Sequence, residues 1–385
     1  MDITQEFPII EQLIYLNHAA ISPWPRRTAE IIRQFAMESL TYGGKHYVRW
    51  EQQEQILREQ LRQLLNAPAV TDIALLKNTS EALSVVAYGL PWQPGDNVVI
   101  TDHEFPSNRI VWESLRTKGV NTRIAKLQLG YTEVENSKIP DPEAEIIAQV
   151  DEKTRLISVS SVQYASGLRL DLAKIGLFCR NNDILFCVDA IQSLGAISCD
   201  VQANHIDFLM ADSHKWLLGP EGLAVFYCCA EQREHLQLNQ FGWHMVEQPL
   251  NFEEKNWKIA NSARRFECGS PNMLGIYALS ASLSLLLEVG INNIATQLLD
   301  NTHHLLTELR KLSDIEILSA QRDNSYAGIV TFRRHQGNTG ELFRLMQQQG
   351  IICAQRWGGI RLSPHFYNSK RQLQQVIEFI DQTQI

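Results

Sequence analysis

IDFLMADSHKWLLGPEGLAVFYC, running from Ile206 to Cys228, reads as strand, polar corner, tight turn and strand. A short apolar run, Phe208-Leu209-Met210-Ala211, meets Asp212-Ser213-His214-Lys215, and Gly219-Pro220-Glu221-Gly222 then turns the backbone into a second run, Leu223 to Cys228. This corner sets one lysine, Lys215, at the mouth of a strand pair between a histidine and a tryptophan. An ammonium lodged there is partly stripped of water, which lowers its pKa and frees the amine as a nucleophile. The ordinary alternative is a solvated surface lysine, and a stretch upstream decides between the two.

In that stretch, Ile184-Leu185-Phe186-Cys187-Val188 runs directly into Asp189. An unbroken apolar run of this length reads as a strand buried on both faces, as in a parallel sheet. Ligands of open α/β sheets sit at the carboxyl ends of the strands, so Asp189 is placed to meet one. A buried aspartate needs a cationic or strongly donating partner. Pyridoxal phosphate (PLP) requires both features, a lysine for its Schiff base and an acid against its pyridinium nitrogen.

VDAIQSLGAISCDV, with the lysine of SHKWLLGPEGLAVFY lying 26 positions beyond its aspartate, resembles the core of the class V aminotransferase family of PLP enzymes. That family includes cysteine desulfurases, cysteine and cystine C–S lyases, kynureninase and isopenicillin N epimerase-like proteins. The resemblance runs from YLNHAA at Tyr15 to RLSPHFYN at Arg361. It implies a PLP-dependent transferase-like α/β fold, that of aspartate aminotransferase: a large domain with a mostly parallel seven-stranded sheet plus a small C-terminal α+β domain. On this basis residues 1–20 form an N-terminal lead-in, 21–255 the large PLP-binding domain, and 256–385 the interface helices and small domain.

Composition sets bounds on the function. The 385 residues suffice for two domains, 44% apolar content is ordinary for a globular protein, and a net charge of −8 argues against nucleic acid as a partner. MDITQEFPIIEQ carries acidic residues where a signal peptide has basic ones. Leu274 to Leu287 comes nearest to a membrane span, but it is rich in Ser and Ala and ends at Glu288. Seven cysteines without a CxxC pair fit reduced thiols, so the expected location is the cytoplasm, with no membrane attachment.

Candidate site residues follow along the chain. Asn78 with Glu81 is a capping-box pattern, and the helix start it opens, with Thr79 and Ser80, either simply caps or holds an anion; the resemblance implies the PLP phosphate. Asp102-His103-Glu104 is rejected as a metal site because neighbours on an extended chain point apart, and no metal is expected. The resemblance makes Phe105, in EFPSN, the ring stacked on the cofactor, and puts either Gln163 or Tyr164 on the cofactor face. It makes Gln192 the donor to the cofactor's 3-oxygen and Ser213 and His214 further cofactor contacts beside Lys215. It also implies that Asn17 and His18 lie over the substrate. Ser270, in RFECGSPN, matches a residue that reaches the phosphate of the neighbouring subunit, which implies a homodimer; its alternative is a helix cap before Pro271. A planar guanidinium can clamp an α-carboxylate through paired hydrogen bonds; the resemblance gives that role to Arg361, with Arg356 as a second candidate, and the alternative is a pair of surface arginines.

Every such reading begins with Lys215 holding PLP and then moving the substrate's α-proton. A sulfur-carrying desulfurase needs a nucleophilic cysteine on a loop above the substrate. Cys353 lies in the apolar run Gly350 to Ala354, of which Ile351 to Ala354 reads as a strand, so it is expected in the core. The expected activity is C–S lysis by β-elimination, or transamination, of a small L-amino acid. Epimerase-like racemisation and a desulfurase using Cys353 are the alternatives. A non-catalytic relative is disfavoured by the joint presence of lysine, aspartate and arginine, and a nucleotide-binding oxidoreductase by the lack of a glycine-rich βα turn.

Overall fold

The structure is a computed structural model that describes residues 3–128, 141–322 and 324–383. After a short β1 (Ile14–Tyr15), seven strands make the central sheet: β2 (Ile73–Leu76), β3 (Asn97–Thr101), β4 (Asn121–Ala125), β5 (Thr154–Ser160), β6 (Leu185–Asp189), β7 (Phe208–Asp212) and β8 (Ala224–Cys228). Their order is β2-β8-β7-β6-β5-β3-β4, parallel except for β8, which runs antiparallel to both of its neighbours. The sheet is therefore the mostly parallel, seven-stranded one expected.

Alternation along the strands explains why both faces are covered. On β6, Phe186 and Val188 join one core while Cys187 joins the other; on β7, Leu209 and Ala211 pack opposite to Phe208 and Met210. Helices seal the two faces, as a parallel sheet requires. The helix starting at Thr79 opens where Asn78 Oδ1 accepts the Glu81 N–H at 2.8 Å. Helices Met273–Val289 and Ile291–Leu309 bend 81° apart, and no single described helix is long and apolar enough to cross a membrane.

A smaller antiparallel sheet holds the C-terminal part, built from β9 (Ile315–Ile317), β10 (Val330–Arg334), β12 (Ala354–Arg356) and β13 (Gly359–Leu362) in the order β12-β13-β10-β9. β11 (Ile351–Ile352) leaves that sheet to pair in parallel with β1, Ile14 opposite Ile351. Ile351 to Ala354 is thus not one strand: the chain changes sheets at Cys353, whose side chain stays buried. Asn17 also bridges Ser363, so the lead-in is stitched to the small sheet.

The edge strand β2 is pinned by a buried ion cluster. Arg58, on helix Tyr47–Leu65, reaches Glu54 at 2.5 Å and Glu267 at 2.8 Å and donates to the Ile73 carbonyl at 2.6 Å. Glu267 in turn accepts the Leu75 N–H at 2.8 Å. Breaking such a group by deleting one partner strands an uncompensated charge. Arg58→Met should therefore lower unfolding free energy by roughly 3 to 5 kcal/mol in urea titrations. A loss below about 1 kcal/mol would show the cluster to be dispensable.

Candidate functional site

The carboxyl ends of the central strands meet the small sheet at Lys215. Leaving β7, the backbone turns at once: the Ser213 N–H donates to the Leu223 carbonyl at 3.0 Å and the Gly219 N–H to the Ser213 carbonyl at 2.8 Å. Lys215 is only 8% exposed, and its Nζ lies 5.6 Å from the centre of the Phe105 ring. Burial is the main cause that brings its pKa down to about 8; Arg361 and Arg356 push the same way, against Asp189 and Asp212.

Asp189 closes the end of β6, buried, with Oδ1 accepting the Ile191 N–H at 3.0 Å. Burial drives its carboxyl up to about 7, opposed by that hydrogen bond and by Lys215. Gln192 is spanned by two contacts, its Nε2 donating to the Ala19 carbonyl at 3.0 Å and its Oε1 accepting from the Trp216 indole at 2.9 Å. One amide N–H is left for a ligand. Trp216 is fully buried, and its room is set by two glycines: a Cβ on Gly328 would strike its ring at 2.6 Å, and one on Gly195 its carbonyl oxygen at 2.4 Å.

Glu104 organises the opposite wall, a role the sequence reading missed because it assigned only the neighbouring Phe105. Buried, it accepts from the Thr101 hydroxyl, the Asn108 amide, the Ser160 N–H and hydroxyl, and Gln163 Nε2 at 3.2 Å. These bonds lock the ends of β3 and β5 together and hold the turn carrying Phe105. Gln163 is tied into this cluster by its nitrogen, with its Oε1 buried and unpartnered. Tyr164 sets its ring edge-on to Phe105 at 5.2 Å, and its carbonyl accepts from Arg361 Nη1 at 2.7 Å.

Arg361 is 1% exposed, yet Nε and Nη2 have no partner. Burial first, and the Arg356 cation second, hold it below its ordinary pKa. A guanidinium enclosed with two idle nitrogens is costly unless an anion completes it.

Other expected residues stand differently. His18 is fully enclosed with both ring nitrogens engaged, by the Ser363 carbonyl at 2.8 Å and the Tyr367 hydroxyl at 2.6 Å, so it clamps the lead-in and has no nitrogen free for a ligand. Asn17 keeps a buried, unpartnered Oδ1. The Ser213 hydroxyl points into its own turn, donating to the Pro220 carbonyl. The His214 ring, held near pKa 4 by burial and by Lys215, is neutral with an unpartnered Nδ1. At the helix start, Thr79 gives both its N–H and its hydroxyl to the Asp212 carboxylate, and the Ser80 hydroxyl donates to Ser107 at 2.8 Å. Asp212 was no site candidate in sequence, since only folding brings β7 to that helix. Ser270 is exposed and does not cap the next helix; Asn272 does, accepting the Gly275 N–H at 3.0 Å. Cys353 is buried, and enclosure pushes its thiol up to about 12.

The family model for class-V aminotransferases matches residues 14–376. A probable cysteine desulfurase of Methanothermobacter thermautotrophicus is 28% identical, covering 99% of this chain and 97% of its own. The uncharacterized aminotransferase YcbU of Bacillus subtilis is 27% identical over 98% of this chain and 96% of its own. Among solved structures, a C-DES variant with glycine covalently linked to its PLP cofactor superposes with a TM-score of 0.90 at 20% identity, covering 100% of both chains. The apo cysteine desulfurase of Thermococcus onnurineus gives 0.85 at 22% identity, over 99% of this chain and 96% of that one. At these identities the structural likeness establishes the fold.

The lowered pKa of Lys215 has a direct test. An amine with a pKa of about 8 is neutral above that pH, so near pH 7.5 it offers roughly two hundred times more free amine than an ordinary lysine. Reductive methylation with formaldehyde, mapped by peptide mass, should modify Lys215 at a rate rising through about pH 8. A profile that rises only near the ordinary 10.5 would contradict the desolvation argument.

Proposed function

Since the chain belongs to the class-V aminotransferase family, we propose that it is a pyridoxal phosphate enzyme attacking a small L-amino acid at its α-carbon, with C–S lyase or aminotransferase chemistry. The observation that carries this reading is the convergence of three enclosed groups: the Lys215 amine, the Asp189 carboxyl and the idle nitrogens of Arg361. These residues fit the cofactor. Lys215 would hold its aldehyde carbon, Asp189 would face its ring nitrogen, and Phe105 would cover the ring. The helix start at Thr79 and Ser80, with His214 and the remaining amide of Gln192, would hold its polar edges. The Thr79 donors are taken by the Asp212 carboxylate and the Ser80 hydroxyl by Ser107, so a phosphate at that helix start would have to displace both contacts.

Bound PLP supplies a conjugated acceptor for the electron pair left at the substrate's α-carbon. The protein does the rest. Arg361 fixes the α-carboxylate, which sets the orientation of the Cα–H bond. With the cofactor held, the Lys215 amine would be the group that moves the Cα proton, and its depressed pKa makes it a base near neutrality. Asp189, facing the ring nitrogen, would favour a proton there. The burial of Lys215 and Asp189 keeps water from competing.

Cys353 supports no sulfur-carrying role, because its thiol is buried and held far from the thiolate form. The exposed apolar residues Phe241, Leu250, Phe252 and Trp257, on the segment preceding Ser270, support a homodimer in which Ser270 serves the neighbouring site. The seven free cysteines support the cytoplasm as its location.

One experiment separates the reactions: cofactor absorbance followed after mixing with a panel of L-amino acids without a keto acid. A lasting conversion by one amino acid means transamination; a transient that returns as substrate is consumed means elimination or epimerisation, told apart by pyruvate-type products. Lys215→Ala should lose the covalent cofactor attachment seen after borohydride reduction, and retention would defeat the reading. Cys353→Ser should keep turnover within about twofold, since Gln347 Nε2, 3.5 Å from the thiol, can serve the new hydroxyl and the site's charges are untouched.

A further inference from the structure

Two arginines stand side by side upstream of Ser270, and the fold employs them differently. The Arg264 guanidinium is satisfied, donating to the His244 carbonyl at 2.7 Å and to the Glu247 carbonyl at 3.3 Å. Arg265 is idle: Nε and Nη1 of its guanidinium are enclosed and have no partner. Burial is the main cause that holds its pKa below the ordinary value; the Glu234 carboxylate opposes the shift through space, and the Arg233 cation adds to it. A guanidinium stripped of water and left unpaired is costly, and an anion relieves that cost.

Arg265 lines a cleft of about 200 Å³ that shares no lining residue with the groups around Lys215. One wall is the helix Thr79–Gly89, whose Glu81, Ser84, Val85 and Tyr88 recur at the spacing of a single helical face. The facing wall is the segment 237–240. It lies close because the Gln237 N–H donates to the Gly89 carbonyl at 2.8 Å and Gly89 carries no side chain, where a Cβ would meet Leu236 at 3.1 Å. Phe266, set edge-on to Phe226 at 5.4 Å, completes the lining beside Arg265.

Charge and size define what fits. Among the described lining residues the one acid, Glu81, is already engaged: Oε2 accepts the Lys77 N–H at 2.7 Å and Oε1 lies 3.6 Å from Lys77 Nζ. The charge left free in the cleft is therefore positive, and Val85, Leu238 and Phe266 make its body apolar. A cavity of about 150 Å³ takes benzene, so this cleft takes a molecule slightly larger than that ring. We propose that it is a binding site for a small carboxylate with an apolar body, of the size of isovalerate or benzoate. The carboxylate pairs with Arg265, and the body lies between Val85, Leu238 and Phe266. Such a ligand bears on the cofactor cleft without entering it, because its wall is the helix that opens at Thr79 and its base is the segment leading to Ser270. The site stands on its own observations and does not depend on which reaction Lys215 carries.

Arg361 is itself expected to take carboxylates, so binding is measured by calorimetry in PLP-loaded Arg361→Gln protein. The probes are isovalerate and benzoate, the matching alcohols isopentanol and benzyl alcohol, and inorganic phosphate. One of the two acids should bind about tenfold or more tightly than its alcohol and than phosphate. Adding Arg265→Gln should abolish that preference, and adding Arg265→Lys should keep part of it, since an ammonium retains the charge without the planar fork. Equal affinity for acid and alcohol, or a preference that survives Arg265→Gln, overturns the proposal. Phosphate binding as tightly as the acids also overturns it, by showing a bare-anion site with no use for the apolar walls. A second measurement needs no variant: phenylglyoxal modification of the unmodified holoenzyme, mapped by peptide mass. Arg265 should react, and the better-binding acid, but not its alcohol, should slow it severalfold. An Arg265 that resists the reagent, as it would beneath a second copy of the chain, or that reacts as fast with the acid as without, defeats the assignment.

Discussion

Keeping the Lys215 amine dry is the constraint on which the rest of the site depends. A lysine at the end of an open sheet would ordinarily extend its ammonium into water. Here the chain reverses immediately after β7, and Trp216, the next residue, is driven into the core. The indole hydrogen-bonds to Gln192, which in turn holds the Ala19 carbonyl. Lead-in, β6 turn and lysine turn are thereby fixed as one unit. Gly195 and Gly328 are where this closeness is decided, since a side chain at either would collide with the tryptophan.

The small sheet completes the enclosure rather than lying beside it. β1 pairs with β11, Asn17 bridges Ser363, and His18 spans from the Ser363 carbonyl to Tyr367. The first residues of the chain are thus bound to nearly its last strand, and Arg361 arrives at the site through the same sheet. Because Arg361 donates to the Tyr164 carbonyl, the loop after β5 and the small sheet are registered against each other beside the two idle nitrogens of Arg361. The fold delivers the lysine, the aspartate and the arginine from three separate strands, β7, β6 and β13.

The parts of this arrangement that were legible in sequence are those with local causes. The apolar run before Asp189, the corner at Lys215 and the cap at Asn78 each follow from periodicity or turn chemistry within a few residues. Arg361 and Phe105 were placed by family resemblance. What escaped depends on contacts between distant segments: the Glu104 cluster joining β3 to β5, the Asp212 carboxylate on Thr79, and the change of sheet at Cys353. No window of neighbouring residues encodes that Ile351 pairs with Ile14 while Ala354 pairs with Arg361. His18 shows the same limit in reverse, since its position was readable but not the two partners that consume its nitrogens.

The chain as a whole is acidic, at −8, and at long range it repels the anions that a PLP enzyme must bind. Screening at physiological salt confines that repulsion to about 8 Å. Inside the site the balance reverses: Lys215 lies among Arg361, Arg356, Asp189 and Asp212, and burial pushes both carboxyls toward their neutral forms. An enclosed region with more cationic than anionic character is unstable when empty and is relieved by anionic ligands. On the proposed reading, the cofactor phosphate and the substrate carboxylate would do more than serve recognition, since they would complete a charge distribution that the side chains alone leave unbalanced.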